Sequence, residues 1–191
     1  MSILFSGKVQ TITRVRGPWR QTRAKGEVLT GRFFYMLPTV EIYKAMPNAP
    51  GMDQSEIDTF LARSKTPLRL GTTNAKGEPN IHPVWYHYLT NKLYFMSYKD
   101  AVKVRNLKQN KTVYFSVDTD AMPNTGVKGR GTAIIVKDAG KALSLSEKII
   151  AKYLGDLNSS MAKSMVDRVK KGSEILVEIT PQYFSTWDYN K

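Results

Sequence analysis

The sequence predicts a mainly β, α+β chain: an antiparallel barrel of strands with helices at its periphery. Runs rich in aromatic and β-branched residues outnumber the helical stretches. Most of those runs are joined by tight turns, which antiparallel neighbours allow and parallel crossovers do not. The helical period, by contrast, is confined to one early stretch, one short connector and a pair of segments beyond Gly140.

Taken in order, Asp53-Gln54-Ser55-Glu56 opens a helix, with a capping side chain and early acids at the positive end of its dipole. Ile57, Phe60 and Leu61 form its apolar stripe, and it should end near Ser64, ahead of Pro67. Residues 68–74 read as a strand, 74–79 as a turn and 80–89 as a second strand, which makes a hairpin. Thr90-Asn91-Lys92 turns the chain into a strand over 93–98, and residues 112–118 and 127–137 supply two more. Between them a short cationic helix over about 100–109 has Val102 and Leu107 available to face the core. Leu145, Ile149 and Ile150 mark a later helix, and Met161, Met165 and Val169 another, stopped by Gly172. Residues 174–180 and 183–187 then read as two closing strands separated by Pro181-Gln182.

The chain has 191 residues, enough for one substantial core and short for two full domains. With 41% hydrophobic and 24% charged residues it has a globular composition. No stretch approaches the roughly 20 apolar residues of a membrane-spanning helix. The absence of cysteine excludes disulfides, thiolate nucleophiles and zinc ribbons, and fits a cytoplasmic protein. The formal charge of +13 attracts phosphates and nucleic acid, and it is unevenly spread. Residues 1–51 carry eight Lys/Arg against only Glu27 and Glu41, and end in the turn-rich run Met46-Pro47-Asn48-Ala49-Pro50-Gly51. We read them as a basic leader ahead of a domain over 52–191. Met52 is then an alternative initiator, and a nucleic-acid-binding or targeting arm is the functional rival.

Several chemistries have no support. His82 and His87 are five apart on one expected strand, which puts them on opposite faces and keeps them from sharing a metal. There is no metal-binding motif, nucleophile elbow, Walker A loop or dinucleotide fingerprint. Lys128-Gly129-Arg130-Gly131 begins like an RNA-recognition strand, but Thr132, Ile134 and Ile135 stand where stacking aromatics belong. Two segments remain. In Pro79-Asn80-Ile81-His82-Pro83-Val84-Trp85-Tyr86, Pro83 interrupts a strand ladder. In the stretch from Met96 to Leu107, Ser97, Lys99, Lys103 and Arg105 attend a strand-to-helix junction, a plausible phosphate cradle.

The order of these segments resembles the flavin-binding split barrels of the pyridoxamine 5'-phosphate oxidase superfamily. The pattern G-x-P-x-x-x-P-V-W stands at Gly77 to Trp85, K-x-x-N-L at Lys103 to Leu107, a glycine-bearing strand at Gly126 to Ala133, and W-D at Trp187-Asp188. The resemblance covers about residues 53–189. It implies a six-stranded antiparallel split β-barrel that dimerises, with flavins in clefts between subunits. By that carry-over His82, Pro83, Val84 and Trp85 run beside the flavin ring, and Ser97, Lys99 and Lys103 take the phosphate. Lys128 or Arg130 reaches the cofactor from a neighbouring strand, while Arg105 and Asn106 fix the local turn. The implied activity is flavin-dependent oxidoreduction, with FMN as the first cofactor and the deazaflavin coenzyme F-420 as the second. The flavin does the hydride chemistry, so no catalytic acid or base is assigned. The oxidase's own arginine- and histidine-bearing C-terminal signature has no counterpart in Ser185 to Lys191, which leaves the substrate open. A flavin reservoir or sensor without turnover is the non-enzymatic reading of the same barrel.

Overall fold

The computed structural model describes residues 40–191. The basic leader, and the nucleic-acid arm read into it, lie outside the described residues up to position 39. Within the described residues the elements run β1 (Glu41–Lys44), α1 (Gln54–Arg63), β2 (Leu68–Thr73), β3 (Pro79–Val84), β4 (Tyr86–Leu89) and β5 (Lys92–Tyr98). There follow α2 (Val102–Gln109), β6 (Thr112–Asp118), β7 (Thr125–Ile135), α3 (Ala139–Leu154), α4 (Ser160–Lys170) and β8 (Glu174–Asp188). No described helix is long and apolar enough to cross a membrane.

Strand order in the sheet is β3-β2-β6-β7-β8-β5-β4. Only Trp85 separates β3 from β4, so one stretch of chain pairs with β2 through Val84 and with β5 from Tyr86 onward. That shared stretch closes the sheet on itself. Counted as one strand, it makes the expected six-stranded antiparallel barrel with β2, β5, β6, β7 and β8. The addition is β1, which pairs in parallel with the second half of β8, Glu41 opposite Tyr183 and Lys44 opposite Thr186. The sheet therefore takes in residues of the stretch read as leader. Met52 is buried, and its backbone N–H donates to Thr186 Oγ1 at 2.9 Å.

Side chains alternate as the pleat requires. Leu68, Leu70, Val84, Tyr86, Phe95, Val113, Phe115, Val117, Val177, Ile179 and Phe184 fill the barrel, and α1 adds Ile57 and Leu61. Tyr86 is fully buried with its hydroxyl donating to Leu61 O at 2.9 Å. An unpaired buried hydroxyl would cost about 1–3 kcal/mol, so this bond lets a large ring sit in the core. On the other side of the sheet Tyr94 and Leu176 meet Leu145 and Ile149 of α3 in a second cluster.

Local signals account for most boundaries. Asp53 and Glu56 form a reciprocal capping box at the start of α1. Thr90 and Asn91 both have positive φ, 51° and 58°, as a two-residue hairpin between β4 and β5 demands. Three expectations need correction. In α2 the core-facing residues are Val104 and Leu107, while Val102 is exposed. Pro181-Gln182 does not divide two strands, because β8 is continuous through Asp188. A register shift opposite Arg130/Gly131 absorbs Gln182 as a bulge, where a missing proline N–H is tolerated. Asn106 is no local hinge, since its buried amide donates to Thr72 Oγ1 at 3.0 Å, across to β2.

Gly129 is where β7 approaches its neighbours most closely. A Cβ there would collide with the Tyr183 carbonyl oxygen and stand 2.6 Å from Phe115 Cζ. Gly129→Ala should therefore destabilise the fold by roughly 1–3 kcal/mol. Gly140→Ala, in the first turn of α3 with only Asp138 Oδ1 near at 3.4 Å, should be neutral or stabilise by up to about 1 kcal/mol. Denaturant melts of both variants check the contrast.

Lys152 of α3 sets a pH dependence. Its Nζ lies 3.9 Å from the centre of the Tyr86 ring and donates to Leu61 O at 3.2 Å. Burial pulls its pKa down to about 8 from 10.5. The folded state thus holds this proton less tightly than the unfolded state, and stability should rise with pH from about 8 towards 10. Above pH 10 the trend reverses, because burial raises the pKa of Tyr86 and Tyr88 and the unfolded chain gives up their protons first. Lys152→Met should flatten the rise between pH 8 and 10, leaving the smaller part due to Lys103, which thermal melts across that range would reveal.

Candidate functional site

Two junctions meet on the outer side of the sheet. At the first, β3 ends at Val84 and β4 begins at Tyr86, with Pro83 opposite Arg69 and Trp85 outside either ladder. At the second, β5 ends at Tyr98 and α2 begins at Val102. Pro83, Val84 and Trp85 from the first junction, and Ser97 and Lys103 from the second, line one cavity of about 250 Å³. Met96, Tyr98, Ile149, Met165 and Glu174 complete its wall.

The first junction presents backbone and a flat wall. Pro83 brings no N–H, and Trp85 stacks face to face on Tyr153 of α3, ring centres 4.8 Å apart and planes 2° from parallel. The Tyr153 hydroxyl accepts from the Tyr86 backbone N–H at 3.4 Å, so the stack is tied to the strand that carries it. The second junction supplies charge. Lys103 is half-buried, and desolvation lowers the pKa of its ammonium. Among the described residues no carboxylate lies within ion-pair distance of it. Ser97 beside it is buried, with its hydroxyl directed only to Tyr98 O at 3.3 Å.

His82 does not line this cavity. Its Nε2 is 3.4 Å from Thr72 Oγ1, which accepts from the Asn106 amide and so has its own proton to donate. Desolvation, then the charge of Lys103, lowers the His82 pKa and favours the neutral ring. His87 lies on the opposite face, its pKa lowered by burial and by Lys148 and Lys152. Among the described residues no cluster could hold a metal ion. On the far wall the buried Glu174 carboxylate accepts from Arg168 Nε at 2.7 Å.

Besides His82, two further expected site residues, Lys99 and Lys128, are not brought to this cavity. Lys99 is exposed at the end of β5, and only its backbone N–H is engaged, with Ser173 O at 3.1 Å. Lys128 lies on β7 and lines a separate cleft of about 660 Å³ on the uncovered sheet face, among Tyr43, Arg69, Ile81, Tyr114 and Tyr183. Arg130, its neighbour on that face, has a buried Nε with no hydrogen-bond partner among the described residues. Arg105 does fix its turn, donating to Asp100 O at 3.1 Å. Sequence reasoning missed Glu174, Ile149, Met165 and Tyr153. The apolar spacing that marked α3 and α4 gives no sign of which residues reach across to the β3–β4 junction.

The family model described as pyridoxamine 5'-phosphate oxidase matches residues 54–188. No curated protein matches the chain significantly. Among solved structures, a conserved hypothetical protein from Mycobacterium tuberculosis superposes with a TM-score of 0.64 at 23% identity, covering 75% of this chain and 88% of its own. A protein named an F-420 reductase gives 0.53 at 25% identity, covering 65% and 93%. A haem storage protein from Vibrio cholerae gives 0.54 at 18% identity, covering 70% and 94%. The likenesses at 23% and 18% identity speak to the fold alone. With the matched segment running from α1 to the end of β8, the chain belongs to the pyridoxamine 5'-phosphate oxidase family.

Proposed function

We propose that this chain is a flavin-dependent oxidoreductase that acts as a homodimer, with FMN as cofactor. The observation that carries the reading is the half-buried Lys103 ammonium, without a carboxylate partner among the described residues, beside Ser97 in a cavity walled by Pro83, Val84 and Trp85. A desolvated cation next to a hydroxyl suits a terminal phosphate through charge-assisted hydrogen bonds. The backbone of Pro83 to Trp85 lines the space for the polar edge of the ring, and the Trp85–Tyr153 stack keeps that wall rigid. When bound, the flavin supplies the hydride chemistry. The chain's residues bind, orient and shield it, while the neutral His82 keeps a second positive charge away from Lys103.

Two features favour a homodimer. The cavity, at about 250 Å³, is smaller than the roughly 300–1,000 Å³ of a complete small-molecule site. The adjoining sheet face leaves Ile81, Tyr114 and Tyr43 at least half exposed. A second copy seated on that face would cover these side chains.

The deazaflavin coenzyme F-420 is the second reading, favoured by the 25% identity to the F-420 reductase. Titrating the full chain with FMN and with the deazaflavin, following cofactor fluorescence, decides between them. Oxidation of the reduced cofactor at steady state then separates an enzyme from a reservoir or sensor. Lys103→Ala should weaken cofactor binding about tenfold or more, the worth of a hydrogen bond to a charged group. Lys99→Ala should leave it near wild type. Unchanged affinity in Lys103→Ala would remove the phosphate site.

A further inference from the structure

The strand β1 lies outside the segment that matches the family model, yet it is built into the sheet. Besides its ladder with β8, the Ala45 N–H donates to Thr186 O at 2.8 Å and the Asp188 N–H to Pro50 O at 2.9 Å. Lys191 Nζ donates to Gly51 O at 2.8 Å, and Ala49 is buried. Residues 41–52 are thus fastened to β8 along their length.

The register fixes what β1 presents. Glu41 and Tyr43 stand opposite Tyr183 and Ser185, which are themselves opposite Arg130 and Lys128 of β7. Cross-strand partners share a face, so Tyr43 joins the uncovered face that carries Ile81, Tyr114 and Lys128. The Tyr43 ring meets Tyr183 edge to face at 5.8 Å and remains 50% exposed.

We infer that β1 is an arm of the interface with a second copy of this chain, and that Tyr43 is its contact residue. This rests on the homodimer reading above. Tyr43, Ile81 and Tyr114 line one cleft, but it is open along the sheet from β3 to β1 and leaves these side chains at least half exposed, which suits a second copy better than an enclosed small ligand. The face also carries both signs of charge, with Glu41 and Lys128 exposed on it and Arg69 paired with Asp118 and Asp120. Around a two-fold axis charges of opposite sign on the two copies can then meet. Adding β1 to the five strands β3-β2-β6-β7-β8 widens the face by one strand spacing, about 4.8 Å, or roughly a quarter.

Sedimentation of the full chain over a concentration series tests this, with Tyr43→Asp, Tyr114→Asp and, on α4 away from the face, Met161→Asp. The expected result is a dimer whose dissociation constant rises at least tenfold in Tyr43→Asp and Tyr114→Asp and stays unchanged in Met161→Asp. In the wild type, hydrogen exchange at Glu41–Lys44 should slow as concentration rises through that constant. A dimer weakened by Tyr114→Asp but not by Tyr43→Asp, with exchange in β1 independent of concentration, would overturn the arm and leave the homodimer reading intact. A wild-type chain that stays monomeric, with or without FMN, would overturn both.

Discussion

Barrel closure is the constraint on which the rest of the molecule depends. The stretch from Pro79 to Leu89 must pair with β2 at one end and with β5 at the other, two strands at opposite margins of the same sheet. No regular ladder serves both, so pairing breaks at Trp85. Pro83, which has no N–H to offer, occupies the approach to that break. The interruption leaves backbone and an indole ring facing outward beside the end of β5, where α2 delivers Lys103. The cavity is a consequence of closing the barrel with a shared strand. The core holds that strand in place through Val84, Tyr86 and Tyr88, and the bond from Tyr86 to Leu61 O ties it to α1.

How much of this the sequence disclosed follows from the range of each interaction. The capping box of α1, the hairpin turns and the proline at the break are encoded by residues a few positions apart and could be read directly. The same holds for the Ser97-to-Lys103 junction, which lies within one strand, one turn and one helix. The phase of α2 was harder: eight residues make barely two turns, so either Val102 or Val104 satisfies the pattern, and only the packing decides for Val104. Pro181 reads as a strand breaker until the bulge opposite Gly131 is known. Lys128 could not be assigned to a cleft from spacing, because its place follows from the order β2-β6-β7-β8. Tyr153 and Glu174 reach the site from elements distant in sequence, through contacts that no local period announces.

The electrostatics of the site and of the sheet face differ in kind. Lys103 and Glu174 are partly withdrawn from water on one cavity, and Glu174 is matched by Arg168 while Lys103 has no carboxylate partner among the described residues. A desolvated charge without a carboxylate partner among the described residues calls for an anion, and on this rests the proposal of a phosphate-bearing cofactor. The outer face instead shows tyrosines and mixed charges in the open, and on this exposure rests the proposal that a second copy covers it. The two regions touch along β3, where Pro83 borders the cavity and Ile81 borders the face. On the proposed reading, cofactor binding and association of two copies are events at one boundary, which β1 would extend beyond the segment matched by the family model.

The most direct test of the central claim is amide hydrogen exchange on the full chain with and without saturating FMN, repeated with the deazaflavin. The account predicts new protection at the β3–β4 junction around Val84 and Trp85 and at the β5–α2 junction from Tyr98 to Lys103. Binding without protection at these two junctions, or no response to either cofactor, would contradict it.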